Sequence, residues 1–240
     1  MFGLSNYTTN WHDVHTQARV EGVSMNRVQE DFKALSDIFG GWKKFRFKIG
    51  GLWDAPLRDY TGEITAGGGS SGTFKNFRQE EIEAFNKAVE MIKPMLKREN
   101  TVLAVPLANG NHIDHFITKE AVIKAAYEVG SDGKATILFG QDQPYTGANP
   151  GDENIEINAL RRRLPEGAIT QSVYPLPIDD KGNTVKLNLY LKRYLTQYDE
   201  GYLEPLKNNT RETVYEWNPD TFRQVKSHAE CQGDYCSLAD

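Results

Sequence analysis

Residues 101–130, TVLAVPLANGNHIDHFITKEAVIKAAYEVG, decide the fold that we expect of this chain. The first seven residues are apolar at nearly every position, which is typical of a strand buried on both faces. A helix is predicted to follow and to end at Gly130, because glycine commonly terminates helices. A second buried strand is predicted at 134–140, KATILFG. The unit predicted here is therefore strand, turn, helix and strand.

The flanking segments continue this alternation of strands and helices. Strands are predicted at 2–8, 44–53 and 169–178, and helices at 24–39, 79–98, 153–164 and 184–198. Such alternation is typical of a mostly parallel sheet with helices on both faces. The sequence thus predicts an α/β fold, a Rossmann-like three-layer sandwich. We expect a single domain over residues 1–225 and a C-terminal tail over 226–240.

Composition excludes several classes of protein. The chain has 240 residues, 39% of them hydrophobic and 25% charged, with a net charge of -5, as in an ordinary globular protein. A basic surplus that would indicate nucleic acid is lacking, and no polybasic tract or long apolar run indicates a membrane. The N-terminus has no signal-peptide pattern, so a cytoplasmic location is expected. Cys231 and Cys236 are expected to be reduced.

A histidine–aspartate cluster follows the strand at 101–107. His112, Asp114 and His115 stand where ligands bind in open α/β sheets, beyond the carboxyl ends of the strands. One interpretation is structural: Asp114 or Thr118 caps the next helix and the histidines are solvated. The other is functional: one histidine binds a metal and the other transfers a proton, with Asp114 orienting a ring. The residues leave both interpretations open.

Three further stretches of the sequence contain residues that are weaker candidates for a functional site. His12, Asp13 and His15 form a second cluster near the N-terminus, which would complete a metal site or simply be solvated. Arg27 and Glu30 form an R-x-x-E pattern, read either as a surface ion pair or as an arginine aimed at a substrate. Asp54 follows a predicted strand and is either a turn former or a site residue.

Together these stretches resemble the PIG-L/LmbE family of zinc-dependent N-deacetylases. The resemblance covers about residues 1–200 and rests on five stretches in the family's order. They are NRVQE (26–30), LWDAPLRD (52–59), NHIDH (111–115), LFGQDQPY (138–145) and KLNLYLKRYLTQY (186–198). It implies hydrolysis of the acetyl group from an N-acetylated amino sugar or related amide, with Zn²⁺ as the cofactor. The sequence is also compatible with a homo-oligomer.

The resemblance also assigns roles to individual residues. His115 matches the family's zinc-binding histidine, His112 the acid, and Asp114 the residue that tunes the pair. Arg27 and Asp54 match positions that line the substrate pocket. The position two residues before His112 is Gly110, so a tyrosine found there in some relatives is missing.

One family signature is absent from the sequence. The family carries a histidine, a proline and two aspartates after its first strand, and these supply two zinc ligands and the general base; no such motif occurs in this chain. We expect this strand and motif to be encoded upstream of Met1. The alternatives are a natural short form that acts as an inactive sugar-binding or scaffold protein, and a metal-binding module that uses His12, Asp13 and His15. Residues 1–240 alone are expected to bind zinc weakly and to show no measurable deacetylation.

Overall fold

A computed structural model describes residues 2–5, 17–58, 81–143, 146 and 151–224. The chain divides into two compact units, one of residues 1–71 with 176–210 (unit 1) and one of residues 72–175 with 211–240 (unit 2). The single domain predicted over 1–225 stays a prediction. The cysteines and the tail at 226–240 lie outside the described residues. In the part of the chain described, no helix is both long and apolar enough to cross a membrane.

The elements follow one another along the chain as follows. The strands are β1 (Phe2–Leu4), β2 (Leu52–Trp53), β3 (Val102–Pro106), β4 (Thr136–Gly140), β5 (Ile169–Pro175) and β6 (Arg211–Trp217). The helices are α1 (Gln17–Phe39), α2 (Glu81–Leu96), α3 (Ile113–Val129), α4 (Asp152–Arg163), α5 (Val185–Arg193) and α6 (Leu203–Asn208). A mixture of helices and strands is therefore confirmed, and the chain is of the α/β class.

Unit 2 is built on a four-stranded sheet in the order β3-β4-β6-β5. β3 and β4 are parallel, in register from Val102 opposite Thr136 to Pro106 opposite Gly140. β6 is antiparallel to both of its neighbours. The strand and helix predicted from residues 101–130 and the strand at 134–140 are confirmed. The prediction that β3 is buried on both faces was wrong, because Val102 is 60% exposed while Val105 is buried.

Helix α3 lies at the centre of unit 2. It packs against α2 and β3, and Ile113, Ile117 and Ala121 on it are fully buried. Lys119 and Glu120 of α3 are also buried: Lys119 pairs with Glu156 at 2.5 Å, and Glu120 with Arg163 at 2.7 Å. Both partners belong to α4, so two buried ion pairs join these helices.

Unit 1 has a smaller sheet in which β1 and β2 are parallel. The strand predicted over 44–53 was wrong in extent, because only Leu52 and Trp53 of it form a strand. Helix α1 begins earlier than predicted. The apolar face expected on α1 is also partly exposed: Phe32 and Phe39 are accessible, whereas Ser24, Glu30 and Ala34 are buried.

Candidate functional site

The turn from β3 to α3 fixes the backbone of the histidine motif. Ala108 and Gly110 adopt left-handed conformations, with φ of 70° and 76°, which places a sharp turn between strand and helix. His112 is the N-cap of α3, and its Nδ1 accepts a hydrogen bond of 3.2 Å from the backbone N–H of Asp114. The cap is therefore His112, and not Asp114 or Thr118. Because Nδ1 accepts a bond, the neutral ring of His112 carries its proton on Nε2.

His115 is oriented by a carboxylate from the neighbouring strand. Its Nδ1 lies 3.3 Å from Oδ2 of Asp142, which is buried, while the His115 side chain is 34% exposed. Asp142 follows β4 and the histidines follow β3. The two strands are parallel, so their carboxyl ends meet at one edge of the sheet. A proton on Nδ1 towards the carboxylate leaves the ring's lone pair on Nε2, which is the tautomer that a metal-binding histidine needs.

The two imidazole rings lie against each other. Their centroids are 4.9 Å apart and their planes are inclined by 36°. The neutral ring of His112 therefore carries its proton on Nε2, and the neighbouring ring of His115 carries its lone pair on Nε2. This arrangement can pair a hydrogen-bond donor with a metal ligand.

The pKa of His115 provides a direct check on this contact. Burial disfavours the charged ring, but the hydrogen-bonding contact with Asp142 and the charges of Asp142 and Asp114 outweigh it and raise the pKa of His115. We expect the metal-free protein to show a His115 titration midpoint above about 6.5, the ordinary value. The contact then stabilises the fold fully below that pH, and the stabilisation is lost as the pH rises through the folded pKa.

The measurement is a proton NMR titration of the histidine rings. The Asp142→Asn variant should lower the His115 midpoint, since burial is then opposed only by the charge of Asp114. A midpoint that does not change in this variant would show that Asp142 does not set the charge of His115.

Arg27 and Asp54, two further predicted site residues, lie together within unit 1. A guanidinium nitrogen of Arg27 donates to the hydroxyl of Ser5 at 2.6 Å and to Asp54 at 2.8 Å, and a second nitrogen donates to Gln197 at 3.3 Å. Asp54 is buried. The structure thus brings Arg27 and Asp54 together, as an ion pair that joins α1 to the end of β2.

Glu30 takes part in the same unit through other partners. Its carboxylate accepts bonds of 2.8 and 2.6 Å from the backbone N–H and the hydroxyl of Thr196. Glu30 is buried, so it is not half of a surface ion pair with Arg27. Through Glu30, the R-x-x-E pattern therefore connects α1 to the segment that follows α5.

Two residues near the histidines were missed from the sequence. Asp142 follows β4 directly, and the rule that located His112 after β3 could have located it too. Asn109 is fully buried, and its amide N and O find no hydrogen-bond partner within the described residues. Its sequence context, a polar turn, gave no such signal.

A complete metal centre is not present in the residues that the structure describes. No group of three His, Cys, Asp or Glu that could hold a metal occurs among them. His12, Asp13 and His15, the alternative ligands, lie outside those residues.

Comparisons with known proteins give no relative. No family model, no curated protein and no solved structure matches the chain.

Proposed function

We propose that this protein is a zinc-dependent hydrolase of the PIG-L/LmbE type. The substrate would be an N-acetylated amino sugar or a related amide, from which the acetyl group is removed. The proposal includes a Rossmann-like three-layer sandwich that contains the parallel pair β3 and β4. Antiparallel strands such as β6 occur beside parallel ones in many folds of this class.

The observation that carries the proposal is the contact between His115 and Asp142. These residues belong to two of the five stretches on which the resemblance rests, NHIDH and LFGQDQPY, and their side chains lie 3.3 Å apart. The other three stretches meet in unit 1, through Arg27 with Asp54 and Gln197 and through Glu30 with Thr196. Contacts within both groups of stretches support the proposal that all five stretches belong to one family pattern.

The residues present fit a zinc ion as part of its ligand set. His115 would bind through Nε2, with Asp142 holding the ring from behind, an arrangement found at most histidine ligands. His112 lies beside it. Catalytic zinc sites use three protein ligands, and the described residues provide only the histidine side of such a set. When bound, zinc polarises the acetamide carbonyl and lowers the pKa of a bound water.

The chain's own contribution to the reaction comes mainly from His112. The hydrogen bond from the Asp114 N–H holds Nδ1 as an acceptor, so the neutral ring keeps its proton on Nε2 and can donate a hydrogen bond from there to an oxygen of the substrate that gains negative charge. Asp114 lies in the first turn of α3, buried. Its charge adds to that of Asp142 in raising the pKa of His115. These groups position and hold a proton next to the proposed ligand.

The test combines a reaction and a binding readout on the 240-residue chain. Acetate release from N-acetylglucosamine and its conjugates is measured with added zinc, and the ring resonances of the five histidines are followed by NMR during titration with N-acetylglucosamine. We expect the His112 and His115 resonances to respond to the sugar. Any acetate release should disappear in His115→Ala and persist in the matched His228→Ala control.

The outcomes separate the functions considered. Sugar binding at His112 and His115 without release would favour an inactive sugar-binding protein of the same fold. Release lost in His12→Ala or His15→Ala would show that the N-terminal cluster supplies the remaining ligands. If the two rings do not respond to the sugar and no acetate appears, the proposal is wrong.

A further inference from the structure

Residues 42–49 of unit 1, WKKFRFKI, alternate cationic and large apolar side chains. This stretch, the basic-aromatic segment, contains four Lys or Arg and four large apolar residues. No acidic residue occurs between positions 38 and 53. The charge of the segment is thus opposite in sign to that of the whole chain, which is -5.

The segment packs against α1 through aromatic contacts. The ring of Phe45 lies 5.4 Å from Phe32 and 5.8 Å from Phe39, and the ring of Phe47 meets Phe32 edge-on at 5.9 Å. Apart from a short helical turn at Trp42–Lys44, the segment has no regular structure. It is therefore held by side-chain packing, with its alternate side chains directed outwards.

The outward side chains are large and accessible. Trp42 is 61% exposed and Ile49 48% exposed, and Ile38 at the end of α1 is 58% exposed. All four cationic side chains, those of Lys43, Lys44, Arg46 and Lys48, are exposed as well. Asp37, the nearest acidic residue before the segment, is paired with Arg193 at 2.7 Å. A surface that is apolar and cationic at once is left facing solvent.

Against the expectation of no membrane partner drawn from the sequence, we infer that the basic-aromatic segment docks onto the surface of an anionic phospholipid bilayer. Tryptophan and large aliphatic side chains insert at the boundary between headgroups and acyl chains, while lysine and arginine remain at the level of the phosphates. Trp42, Ile49 and Ile38 would insert. Lys43, Lys44, Arg46 and Lys48 would contact acidic headgroups, which attract each nearby cation.

Charge and shape favour a bilayer over the other occupants of such a surface. Two copies of the chain meeting through this segment would bring eight cations together, which opposes self-association. Single-stranded nucleic acid stacks its bases on a series of open aromatic faces, whereas Phe45 and Phe47 already pack against Phe32 and only Trp42 among the rings of this segment is more than half exposed. Exposed Ile38 and Ile49 gain from insertion into lipid and not from stacking.

The test is sedimentation of the 240-residue chain with lipid vesicles. Vesicles of phosphatidylcholine with phosphatidylserine are compared with pure phosphatidylcholine, at low and at high salt. We expect binding to the anionic vesicles only, weaker at high salt because screening shortens the reach of the charges. The Lys43→Glu/Lys44→Glu variant should bind at least about tenfold more weakly, and Trp42→Ser about tenfold more weakly.

A matched control is the Lys97→Glu/Lys207→Glu variant, which reverses two exposed lysines elsewhere and should bind like the unmodified chain. Circular dichroism checks that all variants are folded. The inference is overturned if the anionic vesicles do not bind the chain, or if the segment variants bind as well as the control. It is overturned equally if the same substitutions abolish a dimer or RNA binding while leaving vesicle binding intact.

Discussion

Replacing Glu156 by alanine is expected to lower the free energy of unfolding by about 3–5 kcal/mol. The Lys119–Glu156 pair joins α3 to α4 and is almost completely buried, with side-chain exposures of 5% and 6%. Removing the carboxylate leaves the charge of Lys119 in the interior without its counter-ion. That desolvated charge, and not the lost attraction alone, accounts for the size of the effect.

Two comparisons make this expectation specific to burial. Glu83→Ala removes a carboxylate from the exposed Lys87–Glu83 pair of α2 and should leave stability unchanged within error. The double variant Lys119→Met/Glu156→Leu removes both charges and should recover most of the loss. Denaturant unfolding measures all three. A loss below about 1 kcal/mol for Glu156→Ala would mean that water reaches the pair.

Replacing Asp142 by alanine is expected to weaken zinc binding by about 10–100-fold, the usual effect of removing a carboxylate behind a histidine ligand. Asp142 fixes the tautomer of His115 through a 3.3 Å contact. Without that contact the ring rotates and its proton is no longer confined to Nδ1. Because the chain is expected to bind zinc weakly, the measurement is a zinc titration at neutral pH followed through the ring resonances of His112 and His115 by NMR.

The matched control is Asp132→Ala, which removes a carboxylate from an exposed pair with Lys97. It should bind zinc like the unmodified chain, while His115→Ala should lose binding at this site. Equal affinities for Asp142→Ala and Asp132→Ala would contradict the role given to Asp142.

Local sequence pattern was sufficient for the strand–turn–helix–strand unit. The apolar run before residue 107, the motif and Gly130 mark boundaries that depend only on neighbouring residues, and β3, α3 and β4 lie where they were predicted. The same is true of α4 and of the start of α5, whereas α5 ends at Arg193 and not at 198 as predicted. The period of hydrophobic residues along the chain is enough to identify such elements.

Long-range pairing could not be predicted in the same way. β6 was missed, although it lies between β4 and β5 in the sheet. Only Tyr215 and Trp217 of this strand are buried, and its sequence, RETVYEW, is about half polar. It therefore lacks the apolar run that marks a buried strand. Glu120 of α3 is buried, which the sequence around it does not indicate, since a lone carboxylate is rarely buried. Its partner Arg163 lies 43 residues further along the chain, and no local pattern announces that pairing.

The candidate site shows the same division. The position of His112, Asp114 and His115 after a parallel strand followed from the sequence, but the chemistry of each ring did not. The tautomer of His112 depends on its role as the N-cap, and that of His115 depends on Asp142, 27 residues away in sequence. Arg27 and Asp54 were expected in a substrate pocket. Within unit 1 the structure pairs them with each other, and a role towards substrate stays a prediction.

The most direct test of the central claim is the location of zinc on the protein. Crystals of the 240-residue chain soaked in zinc, with anomalous diffraction at the zinc edge, would identify the atoms that hold the ion. We predict zinc bound to Nε2 of His115, with His112 beside it and Asp142 still in contact with Nδ1 of His115. Zinc bound elsewhere while His115 Nε2 remains without metal would contradict the assignment of these residues to a zinc-dependent hydrolase.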